Sequence, residues 1–213
     1  QRPWVGYGMA VDSWPAAAHH ATMIDLDAVT AACGIIVSED PERGFHHHAT
    51  AWSLAPGEWI TAWDAEEPPA PGARLVVAHG GACAPLSDWE EDGPLGGFRS
   101  AAAPAVLPSE GEGELHKRME LEAVGYPSVI DHPAFRLHRR SLTAERYFPY
   151  LCPWRFSGHL ALFTRECGHM AGTCYQGMAG GPVFDTHGRV VGLLLGGMAA
   201  PEAVPLATFH RFV

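Results

Sequence analysis

Residues 176–185 read QGMAGGPVFD, and the paired glycines Gly180 and Gly181 let the backbone turn sharply there. The residue just ahead of that turn is Ala179, a methyl group with no atom able to attack a substrate or take a proton. Nucleophilic chemistry needs a hydroxyl or thiol, an imidazole as base and a carboxylate to orient the imidazole. Imidazoles abound, at His19, His20, His46, His47, His48 and His79. Three consecutive histidines on a strand or loop point different ways, so residues 46–48 make no ligand set by themselves. A second cluster, Cys152, His159, Cys167, His169 and Cys174, has the donor types of structural zinc. It lacks the closely spaced cysteine pairs usual at such sites, so buried thiols or a Cys167–Cys174 disulfide are preferred. No cofactor is expected, with zinc at Cys152, Cys167, His169 and Cys174 as the alternative.

The elements that must position these residues are constrained by composition. The 213 residues suffice for one large domain or two small lobes with a sizeable core. Hydrophobic content of 47% and charged content of 18% are those of a soluble globular protein. With 24 glycines and 18 prolines, short strands and tight turns are favoured over long helices. A net charge of −10 argues against nucleic acid or an anionic membrane as the main partner. No run approaches the roughly 20 apolar residues that cross a bilayer. The odd count of five cysteines leaves at least one unpaired, and the first residues show no basic start followed by an apolar core. A reducing, cytoplasmic setting is therefore expected, and a homo- or hetero-oligomer is compatible with the chain.

Residues 1–28 read as an N-terminal arm, and AACGIIVS (31–38) as a strand ended by a turn. ATAWSLAPGEWITAW (49–63) reads as a hairpin about Ala55-Pro56-Gly57. ARLVVAHGG (73–81) is a further strand, residues 85–97 an acidic loop, and 98–107 a strand only if Pro104 sits at an edge. The polar stretch 108–120 separates a first lobe, 29–107, from a second, 121–213. Strands are expected there at 121–127, 158–164, 181–185, 189–197 and in the closing AVPLATFHRFV. No long segment shows a helical period, so the fold class is all-β.

Three stretches carry a family resemblance. GMAGGPVFDTHGRVVGLLLGG (177–197) resembles the G-x-S-G-G-P-V-F-D-x-x-G-x-V-V-G-I segment of trypsin-like serine proteases, nearest their HtrA-like branch. ATAWSLAPGEWITAWD (49–64) is similar to the family's G-T-G-F-L-V-A-P-G-x-V-L-T-A-A-H, and AVGYP (123–127) to its A-I-G-Y-P. The resemblance implies a double β-barrel of the chymotrypsin type and locates three chemical positions. Ala179 stands where the family has its serine, Asp64 where it has its histidine, and Ala103, in APAVL, where it has its aspartate. A carboxylate with pKa about 3.9 is a poor base for a hydroxyl at pH 7. Asp88 and Asp92 compete with Ala103 for the third position, whereas Asp131 falls too late in chain order. His79 lies past the hairpin that should deliver the base, and His46 to His48 precede it.

The expected function is a catalytically inactive pseudoprotease that binds a protein or extended peptide. The resemblance implies an N–H cradle at Gly177, Met178 and Ala179, and a pairing edge along Leu193, Leu194, Leu195, Gly196 and Gly197. Trp63, beside the lost histidine, either packs in the core or fills the old cleft. The alternatives are an active serine endopeptidase captured as a serine-to-alanine variant, and an assembly subunit whose cleft is idle.

Overall fold

The computed structural model describes residues 24–40, 42, 44–63, 72–77, 81–102, 105–107, 115–198 and 205–212. Of the expected arm, residues 1–23 lie outside this set; Ile24 and Val29 are buried in the cluster that the two lobes share. A short helix α1 (Leu26–Ala32) starts at Asp25, whose carboxylate accepts the Asp27 and Ala28 N–H groups at 3.0 and 3.2 Å. It buries Val29 and Ala32, so the strand expected from residue 31 begins two residues later.

Seven strands follow: β1 (Cys33–Asp40), β2 (Gly44–Ala55), β3 (Glu58–Ala62), β4 (Arg74–Val77), β5 (Cys83–Pro85), β6 (Ser87–Asp92) and β7 (Leu95–Arg99). They form one antiparallel sheet of order β5-β4-β1-β2-β3-β7-β6, curled into a half-barrel. The unbroken apolar run of β1 has a simple cause, since both its faces are covered. Cys33, Ile35 and Val37 face Phe45 and Trp52 in one cluster, while Ile36 joins Trp59, Leu75 and Phe98 in another. The hairpin about Pro56-Gly57 joins β2 to β3 as read from the sequence.

Two expectations fail in this lobe. Residues 85–97 are not a loop but most of the β6–β7 hairpin, and the strand placed at 98–107 ends at Arg99. Charge hid the hairpin: β6 is an edge strand, and the exposed Asp88, Glu90, Glu91 and Asp92 blunt that edge against pairing with other chains.

The second lobe is a closed six-stranded barrel of order β10-β13-β12-β11-β8-β9. Its strands are β8 (Glu120–Gly125), β9 (Trp154–Phe163), β10 (Cys167–Ala171), β11 (Pro182–Phe184), β12 (Val190–Met198) and β13 (Leu206–Arg211). Between β8 and β9 run the single-turn helices α2 (Pro133–Arg136) and α3 (Ala144–Tyr147) with two 3-10 turns. Leu121, Leu160, Met170, Met178, Val183, Leu194 and Phe209 fill the barrel. A second cluster is shared between the lobes, joining Ile35 and Trp52 to Val124, Tyr126, Phe184 and Leu193. The whole is the chymotrypsin-like double-barrel architecture, with one barrel closed and the other half-closed.

The turn from β11 to β12 is built on Asp185, which is 1% exposed. Its carboxylate accepts the His187 and Arg189 N–H groups at 2.8 and 3.0 Å, and the Arg189 guanidinium at 2.6 and 2.7 Å. Desolvation alone would raise this carboxyl. The hydrogen bonds from Arg189 and His187 and the Arg189 charge outweigh it, and the group sits below the usual carboxylate range. Asp185→Ala should therefore cost about 2–4 kcal/mol, read as a lower urea midpoint at unchanged slope.

Candidate functional site

Thr50 of β2 is fully buried where the two lobes meet, and all its polar groups are engaged. Its N–H donates to Ala179 O at 2.8 Å and its hydroxyl to Gly177 O at 2.8 Å. The same hydroxyl accepts the Tyr126 N–H at 2.9 Å, and Thr50 O accepts the Thr61 hydroxyl at 2.6 Å. One side chain of the first lobe thus fixes the 176–181 loop of the second. Close packing reinforces the hold. Gly180 has φ +90°, and a Cβ there would stand 1.9 Å from Thr50 O, so only glycine fits.

The direction of the loop's N–H groups follows from its carbonyls. All peptides described are trans, so each N–H points opposite to the carbonyl before it. Gln176 O accepts from Ser128 N at 2.7 Å, and Met178 O from Gly181 N at 3.0 Å, both on the protein side. The Gly177 and Ala179 N–H groups are accordingly turned the other way, toward the cleft that both residues line. Neither has an acceptor among the described residues. Met178 differs: its N–H donates to Tyr175 O at 3.1 Å and its side chain is fully buried in the barrel. It therefore leaves the expected cradle, which reduces to Gly177 and Ala179.

The cleft is a cavity of about 1000 Å³ between the lobes. The first lobe supplies His48, Ala49, Ala62, Trp63 and Pro94; the second supplies residues 174–177, Ala179 and Leu195 to Gly197. Trp63 is a wall of this cavity and not its plug. Its ring stands 5.4 Å from His48 and 5.1 Å from Trp89, edge-on to the latter. Burial and the neighbouring His46 push His48 down to about 4, so its imidazole is neutral at pH 7. Its Nε2 is 2.7 Å from the buried Ser38 hydroxyl. Burial pushes the Cys174 thiol up to about 11, leaving it protonated and unreactive at neutral pH. No lining residue among those described is a carboxylate.

Of the expected pairing edge, Leu193 and Leu194 are buried core residues, and only Leu195, Gly196 and Gly197 line the cleft. There β12 is paired with β13 on one side, while its pairing with β11 has ended at Leu193. Asp64, Ala103 and His79 lie outside the described residues. Asp88 and Asp92 are exposed on the acidic edge, and Asp131 is exposed near Arg139. All five cysteines are free, so the Cys167–Cys174 disulfide is not formed. Among the described residues no three His, Cys, Asp or Glu side chains converge as metal ligands, and His169 Nδ1 is taken by the Thr208 hydroxyl at 3.0 Å. His48 and Thr50 went unread as site residues, although Thr50 stands at the threonine of the G-T-G pattern.

Comparison with known proteins places the fold. No family model matches the chain, and no curated protein matches it by sequence. Among solved structures, a protease from M. tuberculosis in its active form superposes with TM-score 0.62 at 13% identity, over 87% of this chain and 78% of that one. A Glu endopeptidase gives TM-score 0.59 at 9% identity, over 85% of each chain. A serine endoprotease from Yersinia pestis gives 0.61 at 13% identity, with 88% of this chain spanning 62% of that one. The fold neighbours are trypsin-like serine proteases, and the fold is theirs.

Two outcomes test this geometry. Thr50→Val would leave the Gly177 carbonyl and the Tyr126 N–H buried without partners, costing about 2–4 kcal/mol, while Thr50→Ser should stay close to the parent in thermal melts. His47, fully buried beside Gly177 and bonded through Nδ1 to the Tyr147 hydroxyl at 3.1 Å, is pushed by burial and by His48 to about 3. Its unfolded form takes up a proton below about 6.5 and its folded form does not, so stability present above pH 6.5 is lost toward pH 3. The fall in melting temperature from pH 7 to pH 5 should shrink in His47→Phe but not vanish, because His48 titrates in the same sense.

Proposed function

We propose that this chain is a non-catalytic module of the trypsin-like fold that holds an extended segment of a partner protein in its cleft. The observation that carries the reading is an open cleft lined by Ala179, a methyl where the family resemblance places a nucleophile. Strand addition along Leu195 to Gly197 would supply main-chain hydrogen bonds, and the apolar walls would supply side-chain contacts. Neither needs a nucleophile. An idle cleft, as in an assembly subunit, would have no use for a cavity of about 1000 Å³. A cleft whose lining thiol is held protonated, and in which residue 179 carries no hydroxyl, offers no ready nucleophile for acyl transfer there.

The test is to restore the hydroxyl. Ala179→Ser, folded as judged by its thermal melt, should remain unlabelled by a fluorophosphonate that reacts with activated serines. Strong labelling would establish a working base near residue 179 and overturn the reading.

A further inference from the structure

Within that reading of the cleft, on which this step rests, we infer that the occupant is the carboxylate end of a partner protein, bound at the Gly177 and Ala179 N–H groups. Three observations converge. The two N–H groups are turned into the cleft by the Gln176 and Met178 carbonyls behind them, and no described residue satisfies them. They are held there by the Thr50 bonds to Gly177 O and Ala179 O, so the pair is preorganised before any ligand arrives. No described lining side chain is a carboxylate, so nothing among them repels an anion.

The chemistry then favours a chain end over the middle of a chain. Both present a carbonyl oxygen to the pair, but only the end carries charge, and hydrogen bonds to an ionised acceptor are roughly twice as strong as neutral ones. Backbone N–H groups gathered on one side of a turn are a recurrent trap for terminal carboxylates, and here the pair is Gly177 and Ala179 with Met178 between them turned away. Ala179 adds to this, since a methyl lies beside the pair where a hydroxyl would compete for the same donors. The residues leading to the terminus would run along Leu195 to Gly197, between Trp63 and Tyr175, whose exposed ring stands edge-on to Trp154 at 5.7 Å. These walls suit apolar side chains. The ligand class is therefore an apolar C-terminal tail.

The experiment uses the full chain and two random octapeptide pools, both tethered through the N-terminus, one ending in a free carboxylate and one in an amide. The acid pool should be retained at least tenfold more strongly. Ala179→Asp, which places its own carboxylate beside the two N–H groups, should remove that preference while its circular dichroism and melting temperature stay near the parent's. Equal retention of both pools would overturn the carboxylate inference and leave the cleft reading intact. Retention of neither would overturn both, and an acid preference that survives in Ala179→Asp would place the carboxylate elsewhere.

Discussion

Thr50 joins what the two lobes must hold in common. A residue at the centre of a sheet usually serves its own sheet, but Thr50 donates its backbone N–H and its hydroxyl to the 176–181 loop, and the hydroxyl accepts from Tyr126 just past β8. Its carbonyl is anchored from behind by Thr61 on the neighbouring strand. Water is excluded at this junction, so each of these groups must find a protein partner or incur the cost of an unsatisfied buried polar atom. The consequence runs outward. The loop carbonyls are drawn inward, the Gly177 and Ala179 N–H groups are forced outward, and the cleft acquires a polar floor of backbone N–H groups.

The aromatic and histidine residues around this junction follow from the same geometry. β2 passes behind the loop, so its three histidines are distributed by strand alternation. His47 turns into the protein against Tyr147 and His48 turns toward the cleft, while His46 meets the Arg139 guanidinium at 2.9 Å. A run that looks like a metal ligand set in one dimension is split between two faces of the strand, with His46 stacked on His48 at 5.9 Å on one and His47 on the other. Trp63 shows a similar division: packing against Trp89 and forming a cleft wall are one role, because the same ring does both.

Most strands were legible because they obey simple rules. The Pro56-Gly57 hairpin, the buried run of β1 and the turn-rich β11–β12 segment each show in local residue types. The β6–β7 hairpin did not, since SDWEED has the composition of a solvated loop and becomes a strand only by pairing with β7, whose Gly96 and Gly97 pair with both β3 and β6. β10 was obscured for a different reason: its Cys167 and His169 invite a metal or disulfide reading, yet they sit on a barrel strand paired with β9 and β13. In the site, Ala179 and the glycines around it were readable from one motif. Thr50 and His48 were not, because their importance arises from contacts with residues more than a hundred positions away or from an enclosure that only the assembled lobes create.

The proposal most in need of a direct test is that the Gly177 and Ala179 N–H groups form a preorganised pair that accepts an anion beside the Ala179 methyl. Backbone amide NMR of the full chain during titration with acetate, against acetamide and chloride controls, addresses it directly. The account predicts saturable downfield shifts of the Gly177 and Ala179 amide protons with acetate alone, and little change at Met178, whose N–H is already bonded within the loop. Shifts that are absent, or that appear equally with chloride and are spread over the surface, would contradict it.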